Sequence, residues 1–313
     1  MKAAVISTPK ATPLLGEAPI PTRTSKQETL VRIRAAALNP IDLHIAAGEH
    51  PLGTPAGAFV PGIEGVGIVE ESDHFSPGTR IRVQVPGGFV SGTLGQFVVA
   101  SNDACVVVPA GLTDVAAAAI GVVGVSAQLS SSRVSLADSD SVLILGATGG
   151  FGQAFQHVAR AIGVNRIVGA SRDPMRLSDR GFDGVVALAP DLPQQLEAIG
   201  GPVTVVIDPL WGKWASVGIA SLANGGQYLS IGDIDAATSS IESRWFRHRS
   251  LSLLGFSGTY AAPTDNTAAY TAVATMAEAG HFTLETETYP IDDIATAWTR
   301  QHGSPAAKIV VTF

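Results

Sequence analysis

Apolar residues change their spacing along the chain. Up to about residue 115 they come in short runs broken every few positions by proline or glycine, as at Pro51, Gly53, Pro55, Gly57, Pro61 and Gly62 and again at Pro77, Gly78, Pro86, Gly87 and Gly88. That punctuation predicts short strands and turns, a β-rich and irregular region. From about 116 to 256, apolar runs alternate with helical stretches. The runs are Val142 to Leu145, Arg166 to Ala170, Val185 to Leu188, Val203 to Asp208, Gln227 to Ile231 and Leu251 to Gly255. Such alternation predicts an α/β region with a parallel, doubly wound sheet. Beyond it the spacing predicts a helix over Thr264 to Gly280, a strand over Thr283 to Tyr289, a short helix over Asp292 to Gln301 and a last strand over Ala307 to Phe313. No internal repeat or low-complexity linker interrupts the pattern.

Composition narrows the class without changing this picture. The 313 residues suffice for two domains and a large core, and with 46 % hydrophobic and 15 % charged residues, disorder and coiled coil are poor fits. A net charge of −7 leaves no basic patch for nucleic acid and favours no anionic membrane surface. The single cysteine, Cys105, excludes an intramolecular disulfide and a multi-cysteine metal cluster, and in the run Cys105 to Val108 it reads as a small buried hydrophobe. The start of the chain lacks the pattern of a signal peptide, and the longest apolar stretch, Val115 to Val125, is too short to span a bilayer. A soluble, cytoplasmic protein is the expectation.

The most informative stretch runs from Val142 to Gly152, where an apolar strand enters a turn with glycines at 146, 149 and 152 and leaves as an amphipathic helix closed by Gly163. In a dinucleotide-binding βα unit the first glycine permits the tight turn, the second admits the pyrophosphate to the backbone, and the third lets helix and strand pack closely. Gly146, Thr148, Gly149, Gly150, Phe151 and Gly152 are therefore candidate cofactor residues, with the helix N-terminus facing the phosphates. The next strand ends at Ala170-Ser171-Arg172 with no acid at its tip. A carboxylate there would accept bonds from a ribose 2′-hydroxyl and repel a 2′-phosphate, whereas Ser171 donates a hydrogen bond and Arg172, with Arg176 a helical turn on, supplies positive charge. The cofactor predicted from this chemistry is NADPH.

The order of these regions, together with Ala35 to Asp42, Val60 to Gly67, Gly146 to Gly152 and the terminal Ala307 to Val311, resembles the medium-chain dehydrogenase/reductase superfamily, in its zinc-independent quinone oxidoreductase branch. The resemblance covers nearly the whole chain. It implies a GroES-like catalytic domain formed by residues 1–116 and 259–313, with a Rossmann-type NADPH-binding domain of residues 117–258 inserted in it and the active site in the cleft. It also implies a homodimer joined through an edge strand near Ser250 to Phe256. Zinc-dependent relatives carry cysteine and histidine where Asn39 and Ile63 stand; isoleucine ligates no metal, so no catalytic zinc is expected and Glu64 reads as a hydrogen-bonded structural carboxylate. Relatives place the amide at Asn39 near cofactor and substrate. Read from the residues alone, Asn39, Pro40, Asp42 and Gly48 also form the start and end of a short helix. His44 and His50 stand where relatives often carry tyrosine, which makes them candidate proton donors. The resemblance further places Ser126, Gly232, Phe256 and Ser257 against the cofactor, and puts Leu188 where NADPH-binding relatives often have tyrosine.

Without a Lewis acid a simple ketone is not polarised, whereas a conjugated acceptor spreads the negative charge to an oxygen that one donor can hold. The expected activity is NADPH-dependent reduction of quinones or α,β-unsaturated carbonyl compounds. The alternative is an NADPH-binding redox sensor or structural protein with little turnover. The Tyr-x-x-x-Lys pair of short-chain dehydrogenases and the Gly-x-Ser-x-Gly elbow of hydrolases are absent.

Overall fold

The computed structural model describes residues 1–49, 57–85 and 91–313. It divides into two compact units: unit 1 holds Met1–Val125 with Ala262–Phe313, and unit 2 holds Ser126–Ala261. Among the described residues no helix is long and apolar enough to cross a membrane.

In chain order, unit 1 begins with β1 (Lys2–Val5), β2 (Leu14–Glu17), β3 (Glu28–Ala37) and α1 (Pro40–Ala47), then β4 (Glu64–Ser72), β5 (Arg80–Gln84), β6 (Phe97–Ser101) and β7 (Cys105–Val107). Helices α2 (Asp114–Ala119) and α3 (Gly121–Ser131) follow. Unit 2 contains β8 (Ser141–Leu145), α4 (Gly150–Ile162), β9 (Arg166–Ser171), β10 (Gly184–Ala187), α5 (Leu192–Ala198), β11 (Val203–Asp208), α6 (Lys213–Ala220), β12 (Leu222–Ser230), α7 (Ser243–Arg249) and β13 (Ser252–Gly255). The chain returns to unit 1 through α8 (Pro263–Glu278), β14 (Thr286–Pro290), α9 (Ile294–His302) and β15 (Lys308–Thr312).

In unit 2 the six strands lie in the order β10-β9-β8-β11-β12-β13, all parallel. The chain moves outward from β8 to β10, then crosses back to β11 on the other side of β8, which makes a topological switch point beside β8. Val142 to Leu145 are fully buried, as a strand covered by helices on both faces requires. Helix α4 buries Ala154, Phe155, Val158 and Ala159, positions one helical turn apart, and ends at Gly163 with a φ of 102°.

The larger sheet of unit 1 runs β14-β15-β3-β4-β5-β7, with β6 also paired to β3. Strand β15 pairs antiparallel with β3, placing Val310 opposite Ala37, so the last residues of the chain complete a sheet begun by the first forty. Trp298 of α9 fills the core with Ile33, Leu38, Ile81 and Leu94. Two register shifts bend β3 where it meets β4. The predicted strand 283–289 begins only at Thr286, and the segment 233–250, for which the sequence pattern predicts no element, contains α7. Trp245 and Phe246 of α7 pack on the unit 2 core, a tertiary contact that the basic residues around them conceal in the sequence.

At Gly67 of β4 a Cβ would overlap the carbonyl of Arg32 on the neighbouring strand, where no flexible side chain can yield. Gly67→Ala is expected to cost about 1–3 kcal/mol of stability, read as a lower urea midpoint at unchanged slope.

Candidate nucleotide site and a buried charge network

The strand β8 runs into a turn whose left-handed first residue and close helix contact favour glycine. Gly146 has a φ of 63°, and the Gly149 N–H closes the turn on the Gly146 carbonyl at 2.9 Å. At Gly152, in the first turn of α4, a Cβ would sit 2.7 Å from Ala147 Cα and 2.9 Å from the Gly146 oxygen, so a side chain there would push helix from turn. The Gln153 side chain donates to the Thr148 carbonyl at 2.7 Å and the Ala147 N–H to the Ala170 carbonyl at 3.0 Å, which fixes the turn to the sheet. The N–H groups of Gly150, Phe151 and Gly152 open the helix and have no carbonyl within it to bond. Half-buried main-chain donors at the positive end of a thirteen-residue helix fit a dinucleotide diphosphate.

The other candidate cofactor residues of unit 2 gather at the same edge, because every strand of a parallel sheet ends there. Ser171 closes β9, buried, with its hydroxyl 3.4 Å from that of Thr148. The Asp173 N–H donates to Ser171 Oγ at 3.2 Å, leaving the serine O–H free to donate. Arg172 and Arg176 are exposed and, among the described residues, form no ion pair. The strand-tip pattern gives no role to Asp173, an exposed carboxylate two residues beyond the end of β9. Leu188 follows β10 and is buried in the core. Gly232 follows β12, and Phe256, whose N–H donates to the Ser230 carbonyl at 3.0 Å, follows β13 with Ser257 exposed beside it. Ser126 lies beside this last segment: a Cβ on Gly258 would sit 3.6 Å from its Oγ.

Unit 1 holds a different kind of site. Asn39 opens α1 and is buried, its amide bonded at both ends: Nδ2 donates to Glu64 Oε1 at 2.8 Å and to the Ala37 carbonyl at 3.2 Å, while Oδ1 accepts from Lys308 Nζ. Glu64, fully buried, faces Lys308 Nζ at 3.7 Å and Arg82 at 3.5 Å, and its Oε2 accepts the Val122 N–H at 2.5 Å. The carboxylate thus caps the start of α3, and a Cβ on Gly121 would collide with it, which is why that helix begins on glycine. Arg82 also donates to Gln84 at 2.7 Å and stacks over Tyr270, 5.1 Å from the ring centroid. Asp42 accepts the N–H groups of Asn39 at 2.8 Å and Ile63 at 3.0 Å. Burial nonetheless pushes its carboxyl up to about 7, against those bonds and the Lys308 charge, and burial likewise lowers Lys308. His44, on the last turn of α1, is about half exposed, with Nδ1 3.4 Å from a Glu49 carboxylate oxygen. His50 lies outside the described residues.

Sequence reading assigned no role to Arg82 or Lys308. The signal was present only in the flanking residues: Arg82 stands between Ile81 and Val83 and Lys308 between Ala307 and Ile309, and a charge buried among such neighbours needs a partner.

Known proteins share both of these sites' surroundings at the level of family and fold. The model of the alcohol dehydrogenase GroES-like domain matches residues 25–110, within unit 1. The quinone oxidoreductase of Thermus thermophilus, solved alone and with NADPH, has the same fold with a TM-score of 0.81 at 26 % identity over the full length of both chains. A GroES-like unit interrupted by a Rossmann-type unit defines the class, and the chain has the fold of the medium-chain dehydrogenase/reductase superfamily. A phenolphthiocerol/phthiocerol polyketide synthase of Mycobacterium tuberculosis is 33 % identical over 225 residues, 68 % of this chain and 10 % of that protein. The chain therefore spans about a tenth of the length of that relative. The quinone oxidoreductase of Sus scrofa is 31 % identical over 151 residues, 47 % of this chain and 44 % of the pig protein.

A carboxyl raised on folding contributes stability in acid, below its unfolded value, and that contribution is lost as pH rises toward about 7. Urea midpoints measured from pH 4 to 8 should fall more steeply with pH for the wild type than for Asp42→Asn, which has no carboxyl to ionise. Parallel profiles would show that Asp42 is already ionised in acid.

Proposed function

We propose that the protein is an NADPH-dependent oxidoreductase that reduces quinones or α,β-unsaturated carbonyl compounds by hydride transfer without zinc. The observation that carries this reading is the turn from Gly146 to Gly152, with unbonded helix-start amides, set beside Ser171 and the unpaired Arg172 and Arg176. Gly146, Thr148, Gly149, Gly150, Phe151 and Gly152 hold the diphosphate. Ser171, Arg172 and Arg176 take the 2′-phosphate by charge-assisted bonds, and Ser126, Gly232, Phe256 and Ser257 contact the remainder of the cofactor. NADPH supplies the hydride when bound. The names of the Thermus and pig relatives support the quinone as substrate class.

Zinc independence is supported by the surroundings of Glu64. A divalent ion at that carboxylate would meet the buried Arg82 and Lys308 cations, and Asn39 and Ile63 offer neither thiolate nor imidazole. With no Lewis acid at work, the acceptor must delocalise charge itself, which favours quinones and enones over alcohols. His44, whose Nδ1 lies 3.4 Å from a Glu49 carboxylate oxygen, or water provides the accompanying proton. The binding protein with little turnover is the second reading, favoured by the Asn39 amide, whose two ends are both taken by protein groups.

We also propose that two copies pair through β13. This strand is an edge of the unit 2 sheet and exposes Leu253 at 45 %. Light scattering should give twice the chain mass, and Leu253→Lys should shift it toward one chain; a wild type that runs as a monomer at micromolar concentration rejects the pairing.

Following NADPH absorbance across a panel of quinones and enones should show turnover with at least one class. Tight binding without turnover on any acceptor favours the second reading. Arg172→Ala and Arg176→Ala should each weaken NADPH about tenfold and leave NADH unchanged. Equal loss for both nucleotides rejects the 2′-phosphate assignment.

A further inference from the structure

The turn after β11 carries backbone strain. Trp211 has a φ of 57° and Gly212 follows at 56°, both in the left-handed region, which a bulky side chain occupies only when its surroundings impose it. Asp208, fully buried at the end of β11, imposes it. Its carboxylate accepts the Leu210 N–H at 2.7 Å and the Trp211 N–H at 3.0 and 3.1 Å, and Tyr228 on the neighbouring strand β12 donates its hydroxyl to the same group. The Tyr228 ring meets the Trp211 indole edge-on, with centroids 6.2 Å apart. Burial and the adjacent carboxylate hold the Tyr228 hydroxyl well above its ordinary range, so it remains a donor.

The clamped turn lies against the glycine turn of the nucleotide site. A Cβ on Gly146 would sit 3.1 Å from Leu210 Cδ2. On its other side the Asp235 N–H donates to the Leu210 carbonyl at 2.8 Å, and a Cβ on Gly232 would lie 3.1 Å from the Pro209 oxygen. Strain thus sits between two segments already assigned to the cofactor, at the edge where parallel sheets of this kind bind their ligands.

We propose that Asp208 and Tyr228 are positioning residues for the nicotinamide nucleotide: by holding Trp211 in the left-handed conformation they seat Leu210 on Gly146 and make residues 209–212 a second wall of the site. The inference rests on the nucleotide-binding reading above. The closing experiment is a calorimetric titration of the full chain with NADPH, for the wild type, Tyr228→Phe and Leu210→Ala, beside thermal melts without nucleotide. Tyr228→Phe removes only the hydroxyl and should weaken NADPH about tenfold; Leu210→Ala leaves the buried pair intact and should weaken it to a similar extent. A Tyr228→Phe protein that melts earlier but binds NADPH as tightly as the wild type reduces the pair to a structural role and overturns the inference alone. Should that variant not fold, unchanged affinity in Leu210→Ala overturns it equally. A wild type that binds no nucleotide overturns the reading of the site, and the inference falls with it.

Discussion

All strands of unit 2 run in one direction, so each connection must cross a face of the sheet and each strand must end at the same edge. From this follow both the continuous burial of Val142 to Leu145 and the assembly of the site. Residues far apart in sequence, Gly146, Ser171, Asp208, Gly232 and Phe256, come to one edge because each lies at or just beyond the end of one of five parallel strands. The order of the strands then puts the switch point beside β8, where neighbouring connections leave on opposite sides and helix α4 begins, and this is the place proposed for the nucleotide.

Unit 1 answers a different constraint. Its sheet encloses two carboxyls and two cations, Asp42, Glu64, Arg82 and Lys308, in a region where water contributes little to solvating them. Each charge is therefore tolerated only through its neighbours, and Glu64 is the common partner of Asn39, Arg82, Lys308 and the start of α3. The arrangement ties β15, the last strand of the chain, to β4 and α1 through polar contacts as well as through the ladder with β3. The proposed zinc independence rests on this same feature, because a metal cation at Glu64 would meet the buried Arg82 and Lys308.

Local signals of fixed spacing were legible in the chain. Glycines at 146, 149 and 152 between an apolar run and an amphipathic helix predict the turn and the helix that the structure shows, because each depends on neighbours within a few residues. The alternating strands and helices of unit 2 were legible for the same reason, and so was the start of α1, where Asp42 bonds back to the Asn39 N–H. One helix of unit 2 was not legible. Helix α7 went unread because its apolar Trp245 and Phe246 are surrounded by arginines, and only packing on the unit 2 core shows which face matters.

The sequence by itself determined the class of fold and the location of the glycine turn after β8, since backbone conformation at glycine and hydrophobic periodicity are properties of short segments. Only the tertiary structure decided what the lone charges and hydroxyls do. Lys308 reaches Asn39 across 269 residues and Tyr228 reaches Asp208 from the next strand, and no spacing rule joins such pairs. Their roles arise from burial, which makes an unpartnered polar group costly and so selects, among all groups in the chain, the few that pairing of strands brings within bonding distance.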